Sequence, residues 1–404
     1  MKKVWDKWTR IALVKRILVG LILGAILGIA VPQATGIAIL GDVFVSALKA
    51  IAPLLVFFLV ISSLCNAGKS HGGVIKTVII LYMFSTVLAA VIAVFASMAF
   101  PVKMTLANAA TDTSAPQGIV EVLNNLLLNV VANPVSSLVN ANYVGILMWA
   151  VLLGLAFRAA DKMTKKVLAD VADGISMVVT WIINLAPFGI FGLVFNTVST
   201  NGLDIFTTYG KLLLLLVGCM LFIYFVTNPL LVYWCIRQNP YPLIFHCLKR
   251  SALTAFFTRS SAANIPVNMK VCEEMGLDRD TYSVTIPLGA TINMDGAAIT
   301  ITVMTMATAF TLGIHVDIPT AIILSLLAAL SACGASGVAG GSLLLIPMAC
   351  SLFGISDDIS MQVVAVGFII GVVQDSVETA LNSSSDLLLS ASAEFRQWRL
   401  EGKE

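Results

Sequence analysis

Residues 291–296 read Thr-Ile-Asn-Met-Asp-Gly and place polar residues in an apolar part of the sequence. They lie in the middle of an apolar run, residues 284–312, which exceeds the roughly 20 residues needed to cross a bilayer. An amide, a carboxylate and a glycine at the centre of such a run are costly in lipid, so they indicate a functional site. Asp-Gly at mid-span also predicts a helix that opens and frees backbone carbonyls to bind a ligand.

The composition is that of a polytopic helical membrane protein. Of the 404 residues, 58% are hydrophobic and 11% are charged, whereas about 25% of residues are charged in a soluble domain. The seven cysteines are scattered through apolar segments without a CxxC pair, which favours small core residues over a disulfide framework or a zinc site. The first apolar run, residues 11–31, is too long for a cleavable signal and is predicted to be the first span.

Hydropathy predicts eight membrane-spanning helices. They are residues 11–31, 42–63, 74–100, 143–159, 175–198, 211–236, 284–312 and 362–389. Of the 24 lysines and arginines, 20 fall in segments that this layout assigns to the cytoplasm or at the cytoplasmic ends of spans. The four exceptions are Lys49, Lys103, Lys211 and Arg259. By the positive-inside rule, both termini are expected to be cytoplasmic. Gly20, Gly24 and Gly28 form a small-residue face on which another helix can pack closely, and residues 118–138 are amphipathic, which predicts a segment along the membrane interface.

Two segments suit re-entrant helical hairpins, because each has a polar or small-residue middle and arms too short to span. Residues 242–270 begin and end among basic residues, and their middle reads Thr-Arg-Ser-Ser-Ala-Ala-Asn-Ile-Pro. Residues 319–353 are entered from outside and have a glycine-rich middle. A hairpin followed by a polar span thus occurs twice with opposite orientation, and inverted repeats with interrupted helices are typical of secondary transporters.

The last predicted span carries a polar stripe. Its members follow the spacing i, i+3, i+4, i+7, i+11 and are Asp375, Glu378, Thr379, Asn382 and Asp386. At roughly 100° per residue they share one face of a helix. The stripe indicates either a binding site or a polar seam between helices.

Carboxylates at membrane depth outnumber the cations there. Asp295 and the three acidic members of the stripe are offset only by Arg259, so some must be protonated or bind cations. The neighbouring polar residues are oxygen donors, which argues against zinc, copper or iron and leaves Na⁺ as the favoured ion and H⁺ as its rival. The third span adds three hydroxyls, Tyr82, Ser85 and Thr86. Taken alone, that span favours hydroxyls that bond to carbonyls of their own helix over a cation site.

Four motifs resemble the dicarboxylate/amino acid:cation symporters, which have the glutamate-transporter fold. They are Arg259-Ser260-Ser261, residues 289–296, the tip around Gly337-Val338, and Asp375…Thr379…Asn382…Asp386. The resemblance covers essentially the whole chain and is strongest to the bacterial members that carry serine and threonine. It implies an all-α polytopic membrane protein with eight transmembrane helices, two re-entrant hairpins and inverted repeats. It further implies a homotrimer in the bacterial inner membrane that imports L-serine and L-threonine with Na⁺.

The resemblance also implies an elevator mechanism with a fixed and a moving part. The scaffold would comprise residues 1–66 and 119–200. The transport domain would comprise residues 74–101 and 209–390, with the second hairpin as its gate and residues 391–404 as a cytoplasmic tail.

Site roles follow from the resemblance by position. Asp375 is expected to bind the substrate ammonium, and the other substrate contacts would be Ser260, Ser261, Gly337, Val338, Glu378, Thr379 and Asn382. One sodium site would use Gly289, Asn293, Asn382 and Asp386, and a second would use Thr291, Met294, Ala332 and Cys333. A third would use Tyr82, Ser85, Thr86, Asn293 and Asp295, which reverses the preference for hydroxyls bonded within their own helix.

Two departures from the family pattern bear on the substrate. Glu378 stands where carriers of acidic amino acids have an arginine, and Ala297 replaces a threonine that helps to hold an acidic side chain. A carboxylate at this position would repel glutamate and aspartate and could accept a hydrogen bond from a small hydroxyl. Alternatively, Glu378 pairs with Arg259 and only shapes the pocket.

Other functions are weaker alternatives. A proton-coupled or broader neutral amino acid symporter would fit the same residues. Gly334-Ala335-Ser336-Gly337 formally matches a serine-protease motif, but it lacks a histidine base at membrane depth. A channel would conduct without saturable dependence on a substrate. We expect no enzymatic activity and no nucleic-acid partner.

Overall fold

The computed structural model describes Ile11, Leu128 and residues 13–66, 73–106, 131–202, 205–335 and 340–402. All regular secondary structure in these residues is helical, as predicted. The α-helices are α1 (Leu13–Ala30), α2 (Ala38–Asn66), α3 (Gly73–Ala99), α4 (Pro134–Val139), α5 (Tyr143–Ala156), α6 (Lys162–Asn184), α7 (Ala186–Asn201), α8 (Ile205–Phe222), α9 (Asn228–Ile236), α10 (Tyr241–Cys247), α11 (Leu253–Thr258), α12 (Ser261–Glu274), α13 (Arg279–Ile292), α14 (Asp295–Thr311), α15 (Ile318–Ala332), α16 (Ile346–Ser351) and α17 (Asp357–Leu400).

Short helical segments of other types join several of these helices. Turns of 3₁₀-helix are Thr35–Ile37 before α2, Phe157–Ala159 after α5 and Ser342–Leu345 before α16. Turns of π-helix are Ile223–Thr227 between α8 and α9 and Leu248–Ala252 between α10 and α11. The chain therefore runs as one continuous helical rod from α8 to the end of α9.

Six helical segments in the described ranges are long and apolar enough to cross a membrane, which makes this a multi-pass membrane protein. They are Thr35–Ser62, Gly73–Ala99, Lys162–Asn184, Phe206–Ile236, Arg279–Thr311 and Asp357–Leu400. Four shorter apolar helices accompany them, Gly145–Ala159, Ala186–Thr200, Ile318–Ala332 and Ser342–Ser351.

The helices pack in two groups. α1, α2, α5, α6 and α7 pack chiefly against one another, whereas α3 and α8 to α17 gather around α14 and α17. The predicted small-residue face on α1 is confirmed, because it is the surface that packs against α7. A Cβ atom added at Gly20 would lie 2.2 Å from the Pro187 carbonyl oxygen, and one added at Gly24 would lie 2.6 Å from that of Phe191. The close approach of these two helices therefore requires glycine.

The predicted fifth span, residues 175–198, is wrong in its extent. α6 begins at Lys162, where the Asp161 side chain caps it by accepting a hydrogen bond from the Thr164 backbone N–H at 2.7 Å. The basic residues of the first turns of α6 lower its hydropathy, so the sequence pattern hid its true start. The helix ends at Asn184, and Pro187 lies in the first turn of α7, where its missing N–H costs no helical hydrogen bond.

The first predicted hairpin is a helix–turn–helix segment, and the second is described in its two helical arms. α11 and α12 meet at Arg259 and Ser260, at the predicted tip of the first. Arg259 adopts the left-handed conformation, with φ of 52°, and Ser260 caps α12 by accepting from the Ala263 N–H at 3.2 Å. α15 and α16 are the arms of the second, and its predicted contacts Gly337 and Val338 lie outside the described residues. Much of the predicted amphipathic segment, residues 118–138, also lies outside them.

α17 is longer than the predicted last span, residues 362–389. Its 44 residues at 1.5 Å each make a helix of about 66 Å, roughly twice the thickness of a hydrocarbon core of about 30 Å. Most residues of the helix are buried as far as Glu394, because the second group of helices packs around it. The first ten residues of the predicted tail, 391–400, therefore continue this helix.

Candidate substrate and ion site

The break between α13 and α14 lies at the centre of the second group of helices. Asn293 and Met294 are the two residues between these helices, and both are buried. α3, α14 and α17 pack together around this break, and the tip between α11 and α12 reaches the same part of α17 through Arg259. The prediction that residues 291–296 interrupt a helix is confirmed, because the interruption falls within that stretch.

The Asn293 and Asp386 side chains form the first part of the site. Asn293 Nδ2 donates to Asp386 Oδ1 at 2.9 Å and to Ser385 Oγ at 2.8 Å. The opposite oxygens, Asn293 Oδ1 and Asp386 Oδ2, are buried and have no hydrogen-bond partner among the described residues. Gly289 supplies the space beside them, since a Cβ atom there would lie 2.8 Å from Asp386 Oδ1. Two buried oxygens without a hydrogen-bond partner in the described residues therefore belong to side chains that contact each other beside Gly289.

Asp295 lies against two hydroxyls of α3. Ser85 Oγ donates to Asp295 Oδ2 at 2.7 Å, and Thr86 Oγ1 donates to Asp295 Oδ1 at 3.1 Å. Tyr82, one turn earlier, donates its hydroxyl to the backbone carbonyl of Asp386 at 2.8 Å. The expectation from α3 alone, that these hydroxyls bond to carbonyls of their own helix, is wrong. The acceptors instead come from neighbouring helices and are the Asp295 carboxylate and the backbone carbonyl of Asp386.

Asp375 is bridged to the tip between α11 and α12. Arg259 Nε donates to Asp375 Oδ2 at 2.6 Å, and the Gly340 backbone N–H donates to Asp375 Oδ1 at 3.2 Å. The left-handed conformation of Arg259 turns its side chain toward α17 at the end of α11. One carboxylate on α17 thereby contacts both Arg259, directly after α11, and Gly340 between α15 and α16.

Asn382 links α17 to the broken helix. Its Oδ1 accepts from the Gly296 N–H at 2.7 Å, and its Nδ2 contacts Met294 Sδ at 3.5 Å. Its backbone carbonyl lies 3.4 Å from Asn293 Nδ2. A Cβ atom at Gly296 would lie 2.9 Å from the Glu378 Cα atom, so glycine permits this approach.

Glu378 has three hydrogen-bond partners, and Arg259 is not one of them. Thr300 Oγ1, Ser342 Oγ and Gln374 Nε2 donate to Glu378 Oε2 at 2.7, 2.9 and 2.5 Å. The alternative in which Glu378 pairs with Arg259 is therefore wrong. Arg259 is engaged by Asp375, three residues earlier on α17, and the Glu378 charge is met by neutral donors instead.

Several other predicted site residues use their side chains for hydrogen bonds within their own helices or lie at the edge of the break. Thr291 Oγ1 bonds within its own helix to Leu288 O at 2.7 Å, and Thr379 Oγ1 bonds to Asp375 O at 2.7 Å. Cys333 follows Ala332 at the end of α15, and its sulfur lies 3.6 Å from the Ile292 carbonyl oxygen, at the edge of the break. Ser261 is buried at the start of α12, whereas Ser260 uses its hydroxyl to cap that helix.

Comparison with known proteins identifies the family. A family model of the sodium:dicarboxylate symporters matches residues 13–394, almost the whole chain. The chain belongs to the sodium:dicarboxylate symporter family. A serine/threonine transporter SstT of Bifidobacterium adolescentis is 57% identical, over 100% of this chain and 94% of its own length. A serine/threonine transporter SstT of Streptococcus thermophilus is 55% identical, over 99% of this chain and 100% of its own.

Family membership confirms the resemblance read from the motifs. It also confirms the prediction of a transporter rather than an enzyme, because the relatives are named transporters in a symporter family. The serine-protease motif at residues 334–337 is therefore a chance match among the small residues of the second tip. The channel alternative is likewise excluded.

The candidate site includes residues that the sequence did not predict. Thr300, Ser342 and Gln374 surround Glu378, and Ser385 is bonded to Asn293. Gln374 had a detectable signal, since it lies four residues before Glu378 on one helical face. The others had none, because they depend on how separate helices pack together.

The candidate site holds more carboxyl groups than cationic side chains. Asp295, Asp375, Glu378 and Asp386 are 0%, 3%, 5% and 1% exposed. Within the described residues, their only cationic partner is Arg259, itself 8% exposed. No cluster of three or more histidine, cysteine or acidic side chains in the described part of the chain suits a transition metal. What the site offers is oxygen ligands and negative charge.

Proposed function

We propose that this symporter imports L-serine and L-threonine together with Na⁺. The observation that carries the proposal is the set of four buried carboxylates that have, among the residues the structure describes, a single cationic partner. Buried charges are costly unless they are compensated, and cations that bind during transport would compensate them. The serine/threonine transporters that are more than half identical to this chain support the choice of substrate.

The first sodium site would use Gly289, Asn293, Asn382 and Asp386. Its support is the pair of buried oxygens, on Asn293 and Asp386, that have no partner in the described ranges. Unpaired buried acceptors are destabilising, and a hard cation that prefers oxygen ligands would satisfy both at once. The space at Gly289 fits this role because a larger residue would displace the Asp386 carboxylate.

A second and a third sodium site would flank the first. The third would use Tyr82, Ser85, Thr86, Asn293 and Asp295, and the hydroxyl oxygens already gathered around Asp295 support it.

The second sodium site would use Thr291, Met294, Ala332 and Cys333. Its support is the proximity of the Cys333 sulfur to the Ile292 carbonyl oxygen at the edge of the broken helix.

Asp375 would bind the substrate ammonium. Each of its oxygens accepts one hydrogen bond in the structure, whereas a carboxylate has about four lone-pair sites. An ammonium group can therefore share Asp375 with Arg259. The substrate carboxylate would be held by Asn382, by the backbone at Ser260 and Ser261, by Thr379 and by the second tip at residues 337 and 338.

Glu378 would select the substrate side chain. A buried carboxylate repels the acidic side chains of glutamate and aspartate and accepts a hydrogen bond from a serine or threonine hydroxyl. The hydrogen-bond donors around Glu378 are neutral side chains. When Glu378 is ionised, these donors do not neutralise its negative charge, which is then available to act on the substrate.

The proposed architecture is that of the glutamate-transporter fold, with eight spans and two re-entrant hairpins in a homotrimer in the bacterial inner membrane. α1, α2 and α5 to α7 would belong to the scaffold, and α3 with α8 to α17 would belong to the moving transport domain. The separate packing of these two groups supports the division. Both termini would face the cytoplasm.

Uptake into proteoliposomes tests the proposal. The protein is reconstituted, and entry of labelled L-serine is measured with an inward gradient of Na⁺, K⁺ or choline at several pH values. We expect accumulation only with Na⁺, and competition by L-threonine but not by L-aspartate. Accumulation that follows a proton gradient regardless of Na⁺ would replace sodium coupling with proton coupling, and strong inhibition by L-alanine and L-valine would indicate a broader neutral carrier.

A further inference from the structure

The Glu378 carboxylate is held by side chains from three separate elements. Thr300 lies on α14, Ser342 begins the 3₁₀ turn before α16, and Gln374 lies one turn before Glu378 on α17. All three are buried, with exposures of 0%, 1% and 0%. Polar side chains buried this deeply restrict the position of the group that they bond.

All three partners donate to the same oxygen. The donor–acceptor distances to Glu378 Oε2 are between 2.5 and 2.9 Å. Gln374 Nε2 also donates to Thr300 Oγ1 at 2.7 Å, which commits the Thr300 hydroxyl hydrogen to Glu378. Glu378 Oε1, by contrast, accepts no hydrogen bond from any part of the chain that the structure describes. One oxygen is thus saturated while the other keeps its lone pairs.

We propose that Thr300, Gln374 and Ser342 are positioning residues that set the preference for a substrate hydroxyl. By saturating Oε2 they fix the carboxylate plane and leave Oε1 as the acceptor for the hydroxyl of serine or threonine. The inference rests on the proposed function, since it assumes that Glu378 faces the substrate side chain.

The arrangement discriminates against substrates that lack the hydroxyl. A site built to bond a hydroxyl rejects the analogue without it, because the buried acceptor is then left unpaired. L-Alanine, which is L-serine without its hydroxyl, would leave Glu378 Oε1 in that state. If the three donors were lost, the carboxylate could rotate and either oxygen could find other partners, so the penalty against L-alanine would fall.

Ser342 connects the hydrogen bonds around Glu378 to a further part of the chain. It belongs to the segment between residues 340 and 351 that lies against α17 through Gly340 and Ser342. Its donation to Glu378 ties the carboxylate to this segment as well as to α14 and to Gln374 of α17.

The test compares the affinities for L-serine and L-alanine in purified protein at saturating Na⁺. Thr300→Val removes the hydroxyl with little change in volume, and Thr300→Ser restores it. We expect Thr300→Val to lower the ratio of serine to alanine affinity roughly tenfold, as for a lost hydrogen bond to a charged group, and Thr300→Ser to recover most of the ratio. Thr308→Val is the matched control, because Thr308 is buried on the same helix but bonds to Met304 O.

The outcomes separate the two proposals. A Thr300→Val protein that loses affinity for L-serine and L-alanine by the same factor would overturn the positioning role. If that variant fails to fold, Ser342→Ala gives the same comparison with a smaller change, and an unchanged ratio there overturns the proposal as well. Absence of sodium-dependent serine binding in the unmodified protein would instead refute the proposed function itself.

Discussion

Gly289→Ala tests the proposed ion site by adding a single methyl group and no polar or charged atom. The new methyl carbon would lie 2.8 Å from Asp386 Oδ1 and 2.9 Å from the Tyr82 hydroxyl oxygen, whereas ordinary contacts begin near 3.4 Å. Each oxygen must therefore retreat by about 0.5 Å or more, which exceeds the tolerance of roughly 0.5 Å for a working site. The sequence change is one methyl group, yet it displaces a proposed sodium ligand.

The expected magnitude follows from the cost of overpacking. Inserting a methyl group into a tightly packed interior costs about 1–3 kcal/mol. If that cost falls on the sodium-bound geometry, the apparent sodium dissociation constant rises roughly 5- to 150-fold, since about 1.4 kcal/mol corresponds to a factor of ten. L-Serine binding at saturating Na⁺ should weaken much less, because Asp375 and Asn382 are not displaced.

The assay measures serine uptake into proteoliposomes at a series of sodium concentrations and determines the concentration that gives half-maximal uptake. Gly218→Ala is the control, because an added Cβ at Gly218 on α8 meets no atom within 4 Å. We expect the control to match the unmodified protein. A Gly289→Ala protein that folds and keeps its sodium half-saturation within twofold would refute the assignment of Gly289 and Asp386 to the ion.

Three further changes test other parts of the account. Asp375→Asn should abolish serine binding measured by equilibrium dialysis, because the ammonium loses its counter-charge; unchanged serine affinity would refute that role. Glu378→Arg should allow L-aspartate to compete with L-serine for uptake. If L-aspartate still does not compete, Glu378 is not the only residue that selects the substrate side chain. Gly20→Ala should lower the free energy of unfolding by about 1–3 kcal/mol and with it the melting temperature of the purified protein, because its Cβ atom would clash with the Pro187 carbonyl oxygen. Gly36→Ala, which meets nothing within 4 Å, should leave the melting temperature unchanged.

The sequence predicted the helical fold and its central break well. Hydropathy identified α3 to within one residue at each end, and the Asn-Met-Asp-Gly motif identified the interruption between α13 and α14. These features depend on local composition, which a single sequence contains. The start of α6 at Lys162 was missed because a basic, amphipathic first turn reads as a loop on a hydropathy scale.

The candidate site was predictable in its members but not in its pairings. The stripe on α17 is buried as its spacing indicated, yet nothing in the sequence decided whether Arg259 would meet Asp375 or Glu378. That choice depends on the left-handed turn at the end of α11 and on the rotation of α17, both of which are set by packing. Thr300 and Ser342 were missed for the same reason, since they approach Glu378 from helices distant in sequence.

The central claim is that the break at Asn293 and Met294 couples sodium binding to amino acid binding. Asn293 contacts Asp386 at the proposed ion site, and Asn382 contacts Met294 beside the proposed substrate site. Coupling between two sites is reciprocal, so each ligand must change the affinity for the other by the same factor. The most direct test is the affinity of purified protein for L-serine, measured at sodium concentrations from near zero to saturation with choline as replacement. The account predicts that serine affinity rises steeply with Na⁺ and that Asn293→Ala flattens this dependence. Serine affinity that is independent of Na⁺ in the unmodified protein would contradict it.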